Sequence, residues 1–245
     1  MIWRIYLQKA RNANAVGDIK KAFFYMEKML KFNPSVNAKV LYGYYLLKKG
    51  KTNRAKEVFE KHIMCDKRVL RKEKTNKKGL KVLNRNELSA KTNYALVLWK
   101  SGDLDGAISM LEYVQSKIKT TDLYCNLGLL YALKGDLDKA LQYNLKAYDY
   151  APQGNGICDN LGYTYYLREE YDKALEIYEE IMGHEKQPGF PDCWYNYGCV
   201  LQKLQRYDEA KQMYEKALEC EFTGFSNVSK EDVLKNLEQM EQIQP

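Results

Sequence analysis

The chain has 245 residues, 45% of them hydrophobic, which is enough apolar material for a folded core. The formal net charge of +7 is local, because positions 67 to 85 hold nine basic residues and one acidic residue, whereas the rest holds 30 basic and 31 acidic residues. This local basicity argues against a general nucleic-acid-binding surface, and the lack of any run of about 18 apolar residues argues against a membrane-spanning helix.

The six cysteines predict reduced thiols and a cytoplasmic location. No two of them form a C-x-x-C pair, and no signal peptide precedes them. If the sequence has been trimmed, an anchor upstream of Met1 would instead associate the protein with a membrane.

Six helical hairpins are predicted, because one pattern recurs along the chain. An alanine follows each predicted turn; we call these the seam alanines: Ala22, Ala55, Ala107, Ala140, Ala174 and Ala210. Their spacings are 33, 52, 33, 34 and 36 residues, and a small residue stands twelve positions before each one: Ala10, Gly43, Ala95, Gly128, Gly162 and Gly198. The clearest hairpin runs from Thr121 to Pro152 and turns at Gly135, which can adopt the left-handed conformation that ends a helix.

This pattern resembles the tetratricopeptide repeat (TPR) family, a helix-turn-helix repeat of 34 residues. Pro34 and Pro152 match the proline that often ends the family's repeat, whereas the corresponding positions elsewhere hold Lys67, Lys119, Lys186 and Phe222. The resemblance implies an all-α, right-handed α-solenoid of about six TPR helix-turn-helix units plus a C-terminal capping helix. It also implies a non-enzymatic scaffold for protein–protein interaction, since the family shares a shape and not a chemistry.

We expect a single solenoid over residues 1–245. Repeats one and two occupy residues 1–65, a basic insertion occupies 66–87, repeats three to six occupy 88–223, and the capping helix occupies 226–244. In the insertion we expect a lengthened second helix of repeat two, a mobile turn from Thr75 to Gly79, and a lengthened first helix of repeat three. Ser229 and Asp232 form a predicted capping box for the last helix.

The first helices of repeats three to six carry an asparagine two residues before the small residue: Asn93, Asn126, Asn160 and Asn196. Some TPR proteins hold an extended peptide with such a ladder in the concave groove, and the resemblance extends that role to these four residues. Aromatic residues at helical spacing share the face: Trp99, Tyr163, Tyr166 and Tyr195. The partner would be a protein or peptide of unspecified identity. The structural alternative is that the asparagines bind neighbouring helices.

The insertion suggests an alternative function, an adaptor that docks on an anionic membrane surface or RNA. Its nine cations are Lys67, Arg68, Arg71, Lys72, Lys74, Lys77, Lys78, Lys81 and Arg85. Nucleic acid is the weaker choice, because no aromatic residue is available for base stacking. A solvated, lysine-rich loop is the plain structural alternative.

No catalytic residues, cofactor or metal are predicted. The sequence has neither a glycine-rich phosphate loop nor a G-x-S-x-G motif. His62 stands one helical turn before Cys65, but no second pair of zinc ligands is nearby in sequence. His184 is predicted to be a solvated loop residue.

Overall fold

Helical hairpins make up nearly all of the computed structural model, which describes residues 2–71, 74–75 and 81–243. The predicted all-α repeat fold is confirmed, whereas the right-handed sense of the solenoid and the limits of repeats one to six stay predictions. Residues 1–110 and 111–245 form two compact units. No helix in the described part of the chain is both long and apolar enough to cross a membrane.

The first unit contains two complete hairpins and the start of a third. Its helices are α1 (Ile2–Ala15), α2 (Ile19–Leu30), α3 (Val36–Lys48), α4 (Thr52–Val58), which continues as a π-helical segment (Phe59–Met64), α5 (Arg85–Lys100) and α6 (Leu104–Gln115). Helix α6 runs across the division between the two units. The second unit continues with α7 (Thr121–Lys134), α8 (Leu137–Tyr150), α9 (Asn155–Leu167), α10 (Tyr171–Gly183), α11 (Pro191–Lys203), α12 (Tyr207–Glu219) and α13 (Lys230–Ile243).

The basic insertion is not the pair of extended helices that the sequence predicts. The helix of repeat two ends at Met64, and two strands, β1 (Lys74–Thr75) and β2 (Lys81–Val82), pair antiparallel. The expected turn lies mostly outside the described residues. Only α5 begins early, at Arg85, where Asn84 caps its first turn by accepting a hydrogen bond from the Glu87 amide.

A buried ion pair fixes the start of the insertion to α3. Lys39 is only 8% exposed, and its ammonium group lies 2.7 Å from Asp66 Oδ2 and donates to the His62 carbonyl at 2.8 Å. Arg68 also pairs with Asp66, at 2.6 Å, and donates to the Pro34 carbonyl. The hydrogen bonds from Arg68, which have the largest effect, and from Lys39 hold the pKa of Asp66 well below its usual range.

All six seam alanines are fully buried. Five residues before each one, the backbone is left-handed, with φ between 60° and 89°. Four of these six turn residues are glycines, including Gly135, where the sequence predicts a left-handed turn. Glu169 and Gln205 occupy the last two turns. The turn conformation is therefore imposed by helix packing even where the residue type does not favour it.

The small residue of the first helix allows the second helix to approach closely. A Cβ atom added to Gly162 would lie 2.8 Å from the Tyr178 ring, and one added to Gly198 would lie 2.6 Å from the Tyr214 ring. Both tyrosines are completely buried. These two hairpins therefore close with an aromatic ring of the second helix against a glycine of the first.

Helix α13 packs on α12, as the capping helix was predicted to do. Ser229 and Asp232 form the predicted capping box, with the Asp232 carboxylate 2.9 Å from the Ser229 amide and the Ser229 hydroxyl 3.1 Å from the Asp232 amide. Val233 and Met240 are buried, whereas Leu234 is 45% exposed.

We predict that Gly162→Ala lowers the free energy of unfolding by about 1–3 kcal/mol, because the added methyl group overlaps the buried Tyr178 ring. Gly156→Ala, in the same helix, is the control. Nothing lies within 4 Å of the added Cβ there, so this change should stabilise the protein by about 0.5–1 kcal/mol through helix propensity. Urea unfolding followed by circular dichroism measures both, and equal effects of the two substitutions would contradict the close-approach account.

We further predict that Asp66→Asn destabilises the protein by about 2–4 kcal/mol, since it leaves the buried Lys39 ammonium without its charge partner. Because the pKa of Asp66 is lowered, this contribution is complete above about pH 4 and is lost as the pH falls further. Glu57→Gln, which breaks more exposed ion pairs, should destabilise the protein much less than Asp66→Asn does. Urea unfolding at pH 7 makes the comparison, and a loss below about 1 kcal/mol for Asp66→Asn would show that Lys39 does not need the carboxylate.

Candidate functional site

Three of the four predicted ladder residues lie on the first helices of successive hairpins in the second unit. Asn126 lies on α7, Asn160 on α9 and Asn196 on α11. Asn93 lies on α5, in the first unit, where its side-chain amide donates to the Ser89 carbonyl of the same helix at 2.9 Å.

Asn160 connects two neighbouring hairpins. Its Nδ2 donates to the Cys125 carbonyl on α7 at 3.1 Å and also lies 3.1 Å from the Cys125 sulfur. Its own backbone carbonyl accepts from Asn144 Nδ2 at 3.1 Å and from the Thr164 hydroxyl at 2.7 Å. The amide nitrogen of Asn160 is therefore used inside the protein, and its Oδ1 is left as an acceptor.

Asn144 of α8, four residues after the seam alanine Ala140, is a polar contact that the sequence analysis did not identify. It is fully buried beside Gly128, and its Nδ2 also donates to the Thr164 hydroxyl at 2.9 Å. Its Oδ1 has no hydrogen-bond partner among the described residues. The only sign of this contact in the sequence was that Asn144 is a polar residue at a position of the helix–helix interface where an apolar residue is expected.

Asn196 binds a buried carboxylate. Its Nδ2 donates to Asp159 Oδ1 at 3.1 Å, and the Tyr178 hydroxyl donates to the same oxygen at 2.9 Å. Asp159 is only 5% exposed, and this burial raises its pKa to about 7 against the two hydrogen bonds, which favour the charged form. The carboxylate therefore changes charge near neutral pH.

Asp159, Asn160 and Asn196 meet in a cleft of about 150 Å³ within the second unit. Of the described residues, those that line it include three carboxylates and no basic side chain: Leu129, Asp159, Asn160, Tyr163, Asp192, Tyr195, Asn196, Asn227, Val228 and Asp232. Asp192 accepts from the Asn227 amide at 2.5 Å, which ties the loop before α13 to α11. Oxygen acceptors therefore dominate the polar lining, so that the cleft favours hydrogen-bond donors and positive charge.

The predicted aromatic residues of this unit lie beside the same face. The Tyr163 and Tyr166 rings stack with centroids 6.4 Å apart, and both side chains are half-buried. The Tyr195 hydroxyl accepts from Asn236 Nδ2 of α13 at 3.2 Å, so this tyrosine also holds the capping helix. Tyr166 and Tyr195 line a second, more open groove with Lys203 and Tyr207.

Trp99, the remaining predicted aromatic residue, lies on α5 in the first unit. Its ring is half-buried, and the Lys100 ammonium lies 4.0 Å from the ring centroid. At this distance the two adjacent residues make a cation–π contact.

The described cations of the basic insertion differ in their surroundings. Lys67, Arg71 and Arg85 are exposed, whereas Arg68 is used in the ion-pair network at Asp66. The side chains of the other five lie outside the described residues: Lys72, Lys74, Lys77, Lys78 and Lys81. Docking on an anionic membrane or RNA stays a prediction.

The prediction of a solvated His184 is wrong. The residue is 8% exposed, and its Nδ1 lies 2.6 Å from Asn155 Oδ1, because the loop after α10 folds back on the first turn of α9. No sequence pattern indicates this contact, since the two residues are 29 positions apart.

The six cysteines carry free thiols. Burial is the main cause that raises the pKa of both Cys125 and Cys158 to about 12, so these two thiols are protonated at neutral pH and are poor nucleophiles. His62 and Cys65, the pair noted in the sequence, are held separately: the His62 carbonyl accepts from Lys39, and the Cys65 thiol donates to the Lys61 carbonyl at 2.8 Å.

We predict that Asp159→Asn removes a pH dependence of stability. The folded pKa of about 7 lies above the ordinary value of 3.8, so the folded protein binds this proton more tightly, and the free energy of unfolding falls as the pH rises from 4 to 7. The substitution keeps an oxygen acceptor for Tyr178 and Asn196. It should stabilise the protein by about 2–4 kcal/mol at pH 8 and by less than about 1 kcal/mol at pH 4.5.

Urea unfolding at the two pH values measures this difference. Asp172→Asn, an exposed carboxylate at the start of α10, is the control and should leave the pH dependence of the wild type in place. The account is contradicted if Asp159→Asn retains the full wild-type pH dependence.

Comparison with known proteins places these hairpins in one family. Residues 121–153 and 191–221 match one sequence profile described as "Tetratricopeptide repeat", and residues 157–192 match a second profile with the same description. These ranges coincide with the hairpins α7–α8, α9–α10 and α11–α12.

Solved structures show the same fold at low sequence identity. A chain of the APC/C hetero-tetramer Cut9-Hcn1 has a TM-score of 0.69 at 17% identity, over 98% of this chain and 42% of that chain. The TPR protein TTC0263 of Thermus thermophilus has a TM-score of 0.63 at 19% identity, over 85% of this chain and 100% of that chain.

Sequence relatives are similar over part of the chain. Photosystem I assembly protein Ycf3 of Prochlorococcus marinus is 25% identical over 132 residues, which cover 47% of this chain and 75% of that protein. Protein bimA of Emericella nidulans is 27% identical over 125 residues, or 51% of this chain, but the match spans only 15% of bimA. Residues 121–221 are therefore three repeats of the tetratricopeptide repeat family, and the chain has the fold of solved TPR proteins.

Proposed function

We propose that the face formed by α7, α9 and α11 holds an extended, basic segment of a partner protein. A TPR fold supports a role as a protein–protein interaction scaffold. The observation that carries the finer proposal is the cleft at Asp159, whose polar lining combines three carboxylates with the side chains of Asn160 and Asn196.

The hydrogen-bonding state of the asparagines supports a donor-rich ligand. The Nδ2 of Asn160 is used on α7, and the Nδ2 of Asn196 donates to Asp159, so both residues retain Oδ1 as an acceptor. Backbone N–H groups and the side chains of lysine and arginine supply matching donors. A free asparagine amide could bind both the N–H and the C=O groups of a peptide, whereas these two residues are left mainly as acceptors.

The spacing of the repeats supports an extended ligand. First helices of adjacent hairpins are separated by about 10 Å, and an extended chain rises about 3.3 Å per residue, so every third residue of the partner meets a new repeat. The half-buried rings of Tyr163 and Tyr166 offer apolar contact beside the acceptors. Binding of this kind involves no chemical step, which agrees with a scaffold.

A relative supports the general class of function. Ycf3 is named as a photosystem I assembly protein. A protein that holds partner segments during assembly needs a binding surface and no catalytic groups, and the same class suits this chain.

We predict that the protein selects lysine- and arginine-rich sequences from a randomised library of short peptides at pH 8. Selected peptides should bind Asp159→Asn at least about fivefold more weakly, because that variant loses a carboxylate of the cleft. Fluorescence anisotropy measures the affinities. With the wild type, affinity should also rise between pH 6 and pH 8 as Asp159 ionises, since its pKa is about 7.

Gln142→Ala is the matched control, because this exposed amide lies on α8, the second helix of a hairpin. It should leave affinity unchanged. Selection of acidic or uncharged peptides, or equal affinity of the wild type and Asp159→Asn at pH 8, would contradict the proposal.

A further inference from the structure

Cys158, Glu180 and His184 bring three potential metal ligands together in the second unit. One ligand atom from each side chain lies within 4.8 Å of the others. Cys158 is completely buried and His184 is 8% exposed, whereas Glu180 is half-buried. These residues come from the first turn of α9, the end of α10 and the position just after α10. None of the three lines the cleft at Asp159.

The histidine presents a lone pair to this cluster. Its Nδ1 lies 2.6 Å from Asn155 Oδ1, and an amide oxygen can only accept, so the ring proton belongs on Nδ1. The Nε2 atom then carries a lone pair. It is buried and has no hydrogen-bond partner among the described residues.

The nearest charged group does not satisfy Nε2 by itself. Glu180 Oε1 lies 3.8 Å from this nitrogen, and both atoms are acceptors when the ring is neutral. A buried acceptor without a partner costs free energy, and two acceptors that face each other need a positive centre between them.

The surrounding contacts hold the three side chains in place. The Tyr148 hydroxyl donates to Glu180 Oε2 at 2.7 Å, which leaves Oε1 toward the histidine. The Cys158 thiol donates to the Pro152 carbonyl at 2.9 Å, and this hydrogen bond is lost when the thiol gives up its proton to bind a metal ion. Asn155 also holds the loop through a hydrogen bond from its Nδ2 to the Lys186 carbonyl at 2.8 Å. Such outer contacts orient the ligands in protein metal sites.

We propose that Cys158 Sγ, Glu180 Oε1 and His184 Nε2 bind a divalent transition-metal ion, with Zn²⁺ as the preferred metal. Thiolate and imidazole ligands favour zinc over magnesium or calcium, and three protein ligands leave a fourth tetrahedral position for water.

The dimensions of the cluster agree with this assignment. Ligand atoms around tetrahedral zinc are about 3.5 Å apart, given metal–ligand bonds of about 2.0–2.3 Å. The histidine–glutamate separation of 3.8 Å is already near this value, and the Cys158 sulfur, within 4.8 Å of both ligand atoms, reaches it by a movement of about 1 Å. On binding, the sulfur–hydrogen bond of Cys158 breaks, the sulfur–zinc bond forms, and the proton passes to solvent.

The ion would act as a structural clamp. It joins α9 to the end of α10 and to the loop that precedes α11, where Gln187 donates to the Met182 carbonyl at 2.9 Å. A ligand that binds only the folded state stabilises it by mass action. Binding of the ion would therefore stabilise the second unit.

Titration of the full-length protein with Co²⁺ and then Zn²⁺, after treatment with a chelator, tests the proposal. We expect one equivalent of cobalt per chain, a thiolate-to-cobalt charge-transfer band, displacement of cobalt by Zn²⁺, and a rise in Tm of about 5 °C or more with excess Zn²⁺. Cys158→Ser should abolish the charge-transfer band, and Glu180→Gln, a conservative change at a half-buried residue, should weaken binding at least about tenfold.

Cys199→Ser is the matched control, since this cysteine lies on α11 of the same unit and outside the cluster. It should retain the full cobalt spectrum. The proposal is overturned if the wild type binds no cobalt, or if Cys158→Ser and Glu180→Gln retain the wild-type spectrum and affinity. It is also overturned if His184 proves to be protonated and paired with Glu180, with a Tm that does not respond to Zn²⁺.

Discussion

Close approach of two helices at a glycine or alanine of the first helix is the constraint on which the repeats depend. In the α9–α10 and α11–α12 hairpins, a buried tyrosine ring occupies the space that a Cβ atom would need at Gly162 or Gly198. The seam alanine then fits the same interface from the other helix. This packing sets the rotation of each first helix, and it thereby decides which of its residues face the neighbouring hairpin and which face solvent.

The polar contacts of the candidate site follow from that rotation. Tyr178, whose ring packs against Gly162, is also the residue whose hydroxyl binds the buried Asp159 carboxylate. Asp159 in turn receives Asn196 from the next hairpin, while Asn160 reaches back to Cys125 on the preceding one. One chain of contacts therefore links packing within a hairpin, alignment between hairpins and the charge of the cleft.

The repeat pattern could be predicted from sequence because it follows from steric rules. Alanine and glycine at fixed spacings mark close helix contacts, and the capping box at Ser229 depends only on neighbours three residues apart. The left-handed turns at Glu169 and Gln205 could not be predicted in this way, since neither residue type favours that conformation. The strand pair in the basic insertion was missed because a lysine-rich run carries no apolar periodicity.

The details of the sites were less accessible, because they depend on contacts between residues distant in sequence. Asn160 and Asn196 were identified as a ladder, but their donor groups bind Cys125 and Asp159, 35 and 37 positions away. His184 was assigned to solvent because its loop has a polar composition, whereas Asn155 and Gln187 fold that loop onto the helices. Local spacing predicts which face a residue shares, and only tertiary packing decides what it binds.

Site-specific photo-crosslinking tests the central claim most directly. A photoreactive phenylalanine derivative placed at Tyr163, beside the cleft, should crosslink to a lysine- or arginine-rich segment of a partner in extracts of the native cell. The same probe at Tyr150, which is 71% exposed at the end of α8, should not capture that segment. Identification of the crosslinked peptides by mass spectrometry decides the matter: the same partner segment from both positions, or an acidic segment at Tyr163, would contradict the account.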